Sequence, residues 1–198
     1  MPLSSRQSSA ENPGNAKFSY KKYYPVRKLI CKSFAEKFNC DNNIQKVAYV
    51  LRLGDTQPAL VCSVDPFIVS AYSDELDAVV MLRFPNELAE KYDLHLWSRL
   101  VTSNTYKYAH FDDTAPDIDA GPGSSGNFSD FLPIVQLFLA KHDEKIMERT
   151  KLFDEARWAR VKELTDAYRN EHPNTARDGF CYFKSQKSLA DILGGTHY

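Results

Sequence analysis

Apolar side chains recur along this chain first at helical and then at strand spacing, and the changes of period divide it into blocks. Residues 1–16 are mostly Ser, Asn, Gln, Pro and other small or polar types, with almost no large apolar side chain. Such a segment cannot bury enough surface to offset the entropy of ordering it, so it is expected as a flexible tail. From Pro25 onward Val26, Leu29, Ile30, Phe34 and Phe38 recur at three- and four-residue intervals, which predicts one amphipathic helix ending near Cys40, before Asp41, Asn42 and Asn43. The period then falls to two. Val47, Tyr49, Leu51 and Leu53 alternate with Ala48, Val50 and Arg52, Gly54 to Gln57 supply a turn, and Ala59 to Val64 resume the apolar run as a hairpin. Asp65 and Pro66 break the second strand, Phe67 to Tyr72 form a third, Ser73 to Asp77 turn the chain, and Ala78 to Phe84 form a fourth. Connections this short demand antiparallel pairing.

Asn86 is placed to cap a short helix through Tyr92, after which Leu94, Leu96, Ser98 and Leu100 alternate as in a fifth strand, and a continuous helix from Asn86 to Leu100 fits the same apolar residues. Residues 110–127 are acidic, rich in Gly and Pro, and without period, which predicts the longest loop of the body. Ser129 or Asp130 then caps an apolar helix that tolerates Pro133 in its first turn. A long helix follows from Asp143 to about Glu171 and ends at His172-Pro173. Gly179 to Lys184 reads as a late strand or extended segment, and Ser188 to Leu193 as a last short helix. The fold class is therefore α+β: an antiparallel sheet of four to six strands covered by an N-terminal helix and two long C-terminal helices, in one domain spanning residues 17–198.

Composition agrees with an ordinary globular chain, at 43% hydrophobic and 26% charged residues. The longest apolar run, Phe131 to Ala140, is interrupted by Pro133 and Gln136 and falls short of the roughly 20 residues a membrane span needs. The first residues lack the apolar stretch of a secretory signal, so the expected location is the cytoplasm. Cys31, Cys40, Cys62 and Cys181 contain no C-x-x-C pair and are expected as reduced thiols; the five histidines are scattered singly, which disfavours a structural zinc site. Charge is uneven. Residues 1–40 carry eight Lys or Arg against Glu11 and Glu36, and the rest of the chain carries 17 basic against 24 acidic residues. A basic segment docking on its own acidic body is preferred to a nucleic-acid tail, although Phe18, Tyr20, Tyr23 and Tyr24 interleave with Lys21, Lys22, Arg27 and Lys28 as a base-stacking surface would.

Candidate chemistry is sparse. The loop bearing His110, Asp112, Asp113, Asp117 and Asp119 offers carboxylates to a hard cation, but its spacing is not that of an EF-hand, and a solvated acidic loop is the plainer reading. Gly121 to Gly126 precede a capped segment but lack the Lys and Ser or Thr of a P-loop, which leaves a linker. Winding residues 146–168 at 100° per residue sets Arg149, Arg157 and Arg160 on the side that carries Ile146, Phe153, Leu164 and Tyr168. Arg forks suit carboxylates and phosphates, so this face is a candidate anion- or partner-binding groove; pairing with the protein's own Asp and Glu is the bland alternative. Trp158 lies toward the polar side of that helix as a candidate contact residue. No G-x-S-x-G or H-E-x-x-H occurs, and no cofactor is implied. The expected function is a non-enzymatic protein-binding or regulatory module of the cytoplasm, with another protein as partner, nucleic acid disfavoured and no membrane contact. The alternative is a small anion- or nucleotide-binding enzyme that sets a divalent cation on the Asp-rich loop opposite the Arg face.

Overall fold

A computed structural model gives the fold, with residues 10–109 and 114–184 described. Three helices open it: α1 (Tyr20–Ile30), α2 (Phe34–Asn42) and α3 (Ile44–Leu53). The single helix expected from Pro25 to Cys40 is broken at Cys31, whose backbone is extended. It restarts because the Ser33 side chain accepts from the Glu36 N–H while the Glu36 carboxylate accepts from the Ser33 N–H, a capping box. Cys31 and Cys40 are joined by a disulfide, which corrects the expectation of four reduced thiols; Cys62 and Cys181 are free. Such bridges persist in oxidising compartments, and this one weighs against the cytoplasmic location expected from the sequence. No helix among the described residues is long and apolar enough to cross a membrane.

The strand expected over residues 47–53 is instead helix α3. Its buried residues, Val47, Val50 and Leu51, are spaced at three and four, and the false alternation came from Tyr49 and Leu53, which are only half-buried. The meander that follows has the expected order: β1 (Asp55–Val64), β2 (Phe67–Ser73) and β3 (Ala78–Arg83) pair antiparallel in sequence. Helix α4 (Glu87–Lys91) comes next. Asn86 does not cap it; its side chain accepts from the Phe67 N–H and donates to Asp65, tying α4 to the β1–β2 turn. The fifth strand, β4 (Arg99–Tyr108), begins later than the alternation from Leu94 suggested.

The apolar helix expected at residues 130–140 is corrected to a strand, β5 (Phe128–Val135), followed by the short α5 (Gln136–Leu139). Pro133 is tolerated because β5 is an edge strand, pairing only with β4, so its missing N–H breaks no second ladder. The long helix expected at residues 143–171 is likewise divided into α6 (Asp143–Glu148), a 3₁₀ turn (Arg149–Leu152) and α7 (Glu155–Glu171). Asp154 starts α7 by accepting from the Arg157 N–H as its N-cap. Where a late strand or extended segment was expected at residues 179–184, the chain forms α8 (Cys181–Lys184), and the late strand, β6 (Arg177–Asp178), lies just before it. The helix expected at residues 188–193 lies outside the described residues.

Sheet order is β5-β4-β1-β2-β3-β6, and because β6 runs parallel to β3 the sheet is mixed, not wholly antiparallel as expected. The parallel strand follows from α7, which carries the chain back across the sheet. One layer forms where Trp158, Val161 and Tyr168 of α7 pack on Leu60, Cys62, Tyr72, Val79 and Met81. The larger core gathers Val61, Val69 and Val80 with Phe67, Phe138 and Phe180. The sheet is curled, so that Arg177 of β6, at one edge, reaches the Phe131 carbonyl and Asp130 of β5, at the other. Of the segment expected as a tail, residues 10–16 are described. Thr56 donates its N–H to the Asn12 carbonyl, and the N–H groups of Gly14 and Ala16 bond to Gly54 and Leu51. Gly14 permits this approach, since a Cβ there would lie 2.2 Å from the Leu51 oxygen.

Candidate functional site

The break between α6 and α7 decides where the arginines go. Arg157 and Arg160 remain on α7, one turn apart, while Arg149 belongs to the 3₁₀ turn, so the three do not share a helix face. Arg157 donates to the Tyr72 hydroxyl at 2.8 Å and lies over that ring, 5.3 Å from its centre. Arg160 forks onto both carboxylate oxygens of Asp77, at 3.2 and 2.7 Å, and also reaches Glu163. Asp77 accepts further from Tyr72 and from the Gly123 N–H. Burial alone would raise the Asp77 carboxyl, but the Arg160 fork and the Gly123 N–H outweigh it and hold the pKa below the usual range. Arg149 instead donates to the carbonyls of Pro13 and Gly14 and to the Thr56 hydroxyl, with no carboxylate.

Trp158 is not the exposed contact residue its position suggested. At 3% exposure it packs edge-on against Phe153, and the Arg99 guanidinium, itself forked onto Glu155, covers its ring at 4.9 Å. Helical-wheel position failed here because the wheel was phased from Ile146 across the break before α7; the buried residues of α7 itself, Trp158, Val161, Thr165 and Tyr168, form one stripe at three- and four-residue spacing.

The acidic loop is divided as well. His110, Asp112 and Asp113 lie outside the described residues. Asp117 is held by both arms of the Arg177 guanidinium, at 2.6 and 2.7 Å, which lowers its pKa. Asp119 meets His172 Nε2 at 2.8 Å, and Asp119, Glu171 and His172 bring one ligand atom each to within 4.8 Å of one another. Residues 121–125, expected as part of a linker, are bonded to the β2–β3 turn through the N–H groups of Gly121 and Ser125, which donate to Leu76 and Glu75.

A feature that sequence reasoning saw only in part is the aromatic surface of the first two helices, where Tyr20 and Tyr24 were weighed as a stacking surface and Phe34 and Phe38 were not. Phe34 and Phe38, counted from the sequence as core, are 86% and 60% exposed on α2, and Tyr20 and Tyr24 of α1 are 54% and 48% exposed. Both pairs are four residues apart, one above the other on their helices. Lys21, Lys28 and Lys32 are exposed among them, whereas Lys22 and Arg27 are bound to Asp143 and Asp41. The signal was present in the sequence: Ser33-x-x-Glu36 is a capping box, which restarts the helix and turns Phe34 away from the face of Val26. Compared with family models, curated proteins and solved structures, the chain has no match.

Proposed function

We propose that the protein is a non-enzymatic binding module that meets a partner protein through the aromatic surface of α1 and α2. The exposure of Phe34 and Phe38 carries this reading. Large aromatics left in water are unfavourable for a free monomer and are enriched at protein interfaces. Lysines around them suit a partner with an apolar centre and an acidic rim. Nucleic acid fits less well, since the net charge is −1 and two of the cations of this region are already paired within the chain. The double variant Phe34→Ser/Phe38→Ser keeps the thermal midpoint within about 2 °C, because neither ring is buried. Quantitative affinity capture from the native source then shows partners retained by the wild type and lost by the variant; an identical set of captured proteins sinks the proposal.

A second reading, a small enzyme that uses a divalent cation, is favoured by one observation: Asp119, Glu171 and His172 converge from the loop and the end of α7. One imidazole with two carboxylates suits zinc or manganese better than calcium. Titration with either ion raises the melting midpoint of the wild type in a dose-dependent way and leaves His172→Ala unmoved. No rise, or an equal rise in the variant, removes this reading.

A further inference from the structure

Four cationic side chains and a histidine meet around one cavity that no motif marked. A cavity of about 310 Å³ lies between residues 15–17 and the start of α6, lined by Lys17, Lys141, His142, Lys145, Arg149 and the apolar Ile146, with no carboxylate in the lining. Lys17, Lys141 and Lys145 are exposed and form no ion pair among the described residues, although the chain carries 26 acidic residues to choose from. The nearest acids are otherwise placed. Asp143 is held by Lys22 at 2.6 Å, and Glu144 and Glu148 are exposed on α6 outside the lining.

The arrangement is fixed by backbone. Phe18 and Ala140 form an antiparallel bridge, and the Lys141 N–H donates to the Lys17 carbonyl, which sets the two lysines side by side. His142 is held at φ 64° and ψ 72°, a left-handed conformation that a residue with a Cβ adopts at a cost. Arg149 closes the floor. Its outer nitrogens are committed to carbonyls and to Thr56, and its Nε is buried without a hydrogen-bond partner. Like charges gathered without a counter-charge repel one another, and an anion seated among them relieves that repulsion.

We propose that this cavity binds a small phosphorylated ligand, with the phosphate held among Lys17, Lys141, Lys145 and Arg149. Its volume is at the lower end for small-molecule pockets, which run from roughly 300 Å³. A phosphate dianion answers several cations at once, where a single carboxylate leaves most of them unmatched. Binding here is independent of the contact surface on α2. Free phosphate and a phosphate ester share this chemistry, so titration calorimetry is run with inorganic phosphate, pyrophosphate and a sugar phosphate, against succinate as the carboxylate control. Binding of the phosphorylated probes weakens with added salt. Lys141→Ala/Lys145→Ala leaves the melting midpoint of the free protein unchanged and weakens phosphate binding on the order of tenfold or more. Tighter binding of the ester than of inorganic phosphate assigns an organic phosphate; equal affinity assigns the free anion. Absence of heat with every phosphorylated probe, succinate binding as tightly as phosphate, or wild-type affinity in the double variant overturns the proposal.

Discussion

Arg177→Ala lowers stability by roughly 2–4 kcal/mol, somewhat less than the cost of removing one member of a fully buried ion pair, because Arg177 and Asp117 are half-buried. For a chain of this length that corresponds to roughly 2–4 °C of melting midpoint per kcal/mol. Arg177 is the one side chain described here that touches both edges of the curled sheet: it belongs to β6, forks onto Asp117, pairs with Asp130 at 2.9 Å and donates to the Phe131 carbonyl of β5. Its removal leaves two carboxylates and a carbonyl without their donor, which costs more than the loss of an attraction. Arg177→Lys keeps the charge but loses the fork, and falls between wild type and alanine. The effect depends on pH with a definite sign. Asp117 has its folded pKa lowered, first by the Arg177 hydrogen bond and then by that residue's charge, against burial. Its contribution is therefore fully present above the unfolded value of about 3.9 and is lost as pH falls through the lower folded value. Thermal unfolding at neutral pH and near pH 3 separates wild type from Arg177→Ala widely in the first case and narrowly in the second. A neutral-pH difference under about 1 kcal/mol means the pair is screened like a surface ion pair.

Asp55→Asn has the opposite effect and stabilises the protein at neutral pH. Asp55 opens β1 with its carboxylate within reach of Gln57 Nε2, at 2.5 Å, and of the Asn12 N–H, at 3.4 Å. Burial raises its pKa to about 6, and the nearby charges of Asp74 and Glu11 add to the shift while the Gln57 and Asn12 bonds oppose it. A carboxyl whose folded pKa lies above its unfolded value favours the fold only while protonated. Its contribution is complete below about pH 3.9 and is lost as pH rises through 6. At one pKa unit per 1.36 kcal/mol, and after discounting partial exposure, the asparagine variant gains about 2 kcal/mol at pH 7 to 8 and little at pH 4. Urea midpoints taken across that range show a wild-type decline between pH 4 and 6 that the variant lacks. Parallel curves would mean that Asp55 is solvated.

The central meander was legible because its signals are local: Asp65-Pro66 and Ser73 to Asp77 are turn residues between short apolar runs, and β2 and β3 follow with nearly the expected bounds, while β1 starts at Asp55, inside the turn expected at residues 54–57. Misreadings occurred where a local pattern had two solutions. Val47 to Leu53 alternates and also carries a helical stripe, and only packing of Val47, Val50 and Leu51 decides for the helix. Residues 128–140 are apolar enough for a buried helix or a strand, and β4 decides by offering a ladder. Candidate sites were less legible still. Asp117 and Arg177 lie 60 positions apart, Arg160 and Asp77 lie 83 apart, and the basic cavity draws on residues near positions 17, 142 and 149. No window of sequence contains those pairs, whereas the capping box that exposes Phe34 sits within four residues and was available to be read.

The clasp between Arg149 and the carbonyls of Pro13 and Gly14 also bears on synthesis at the ribosome. The two ends of the bond to Pro13 are 136 positions apart. At roughly 5–20 residues per second, Pro13 emerges roughly 7–27 s before the arginine that clasps it, and until then this strap has only its bonds to the end of α3 and the start of β1. In vectorial synthesis the last fastening of Pro13 and Gly14 therefore waits on a residue about 136 positions further along.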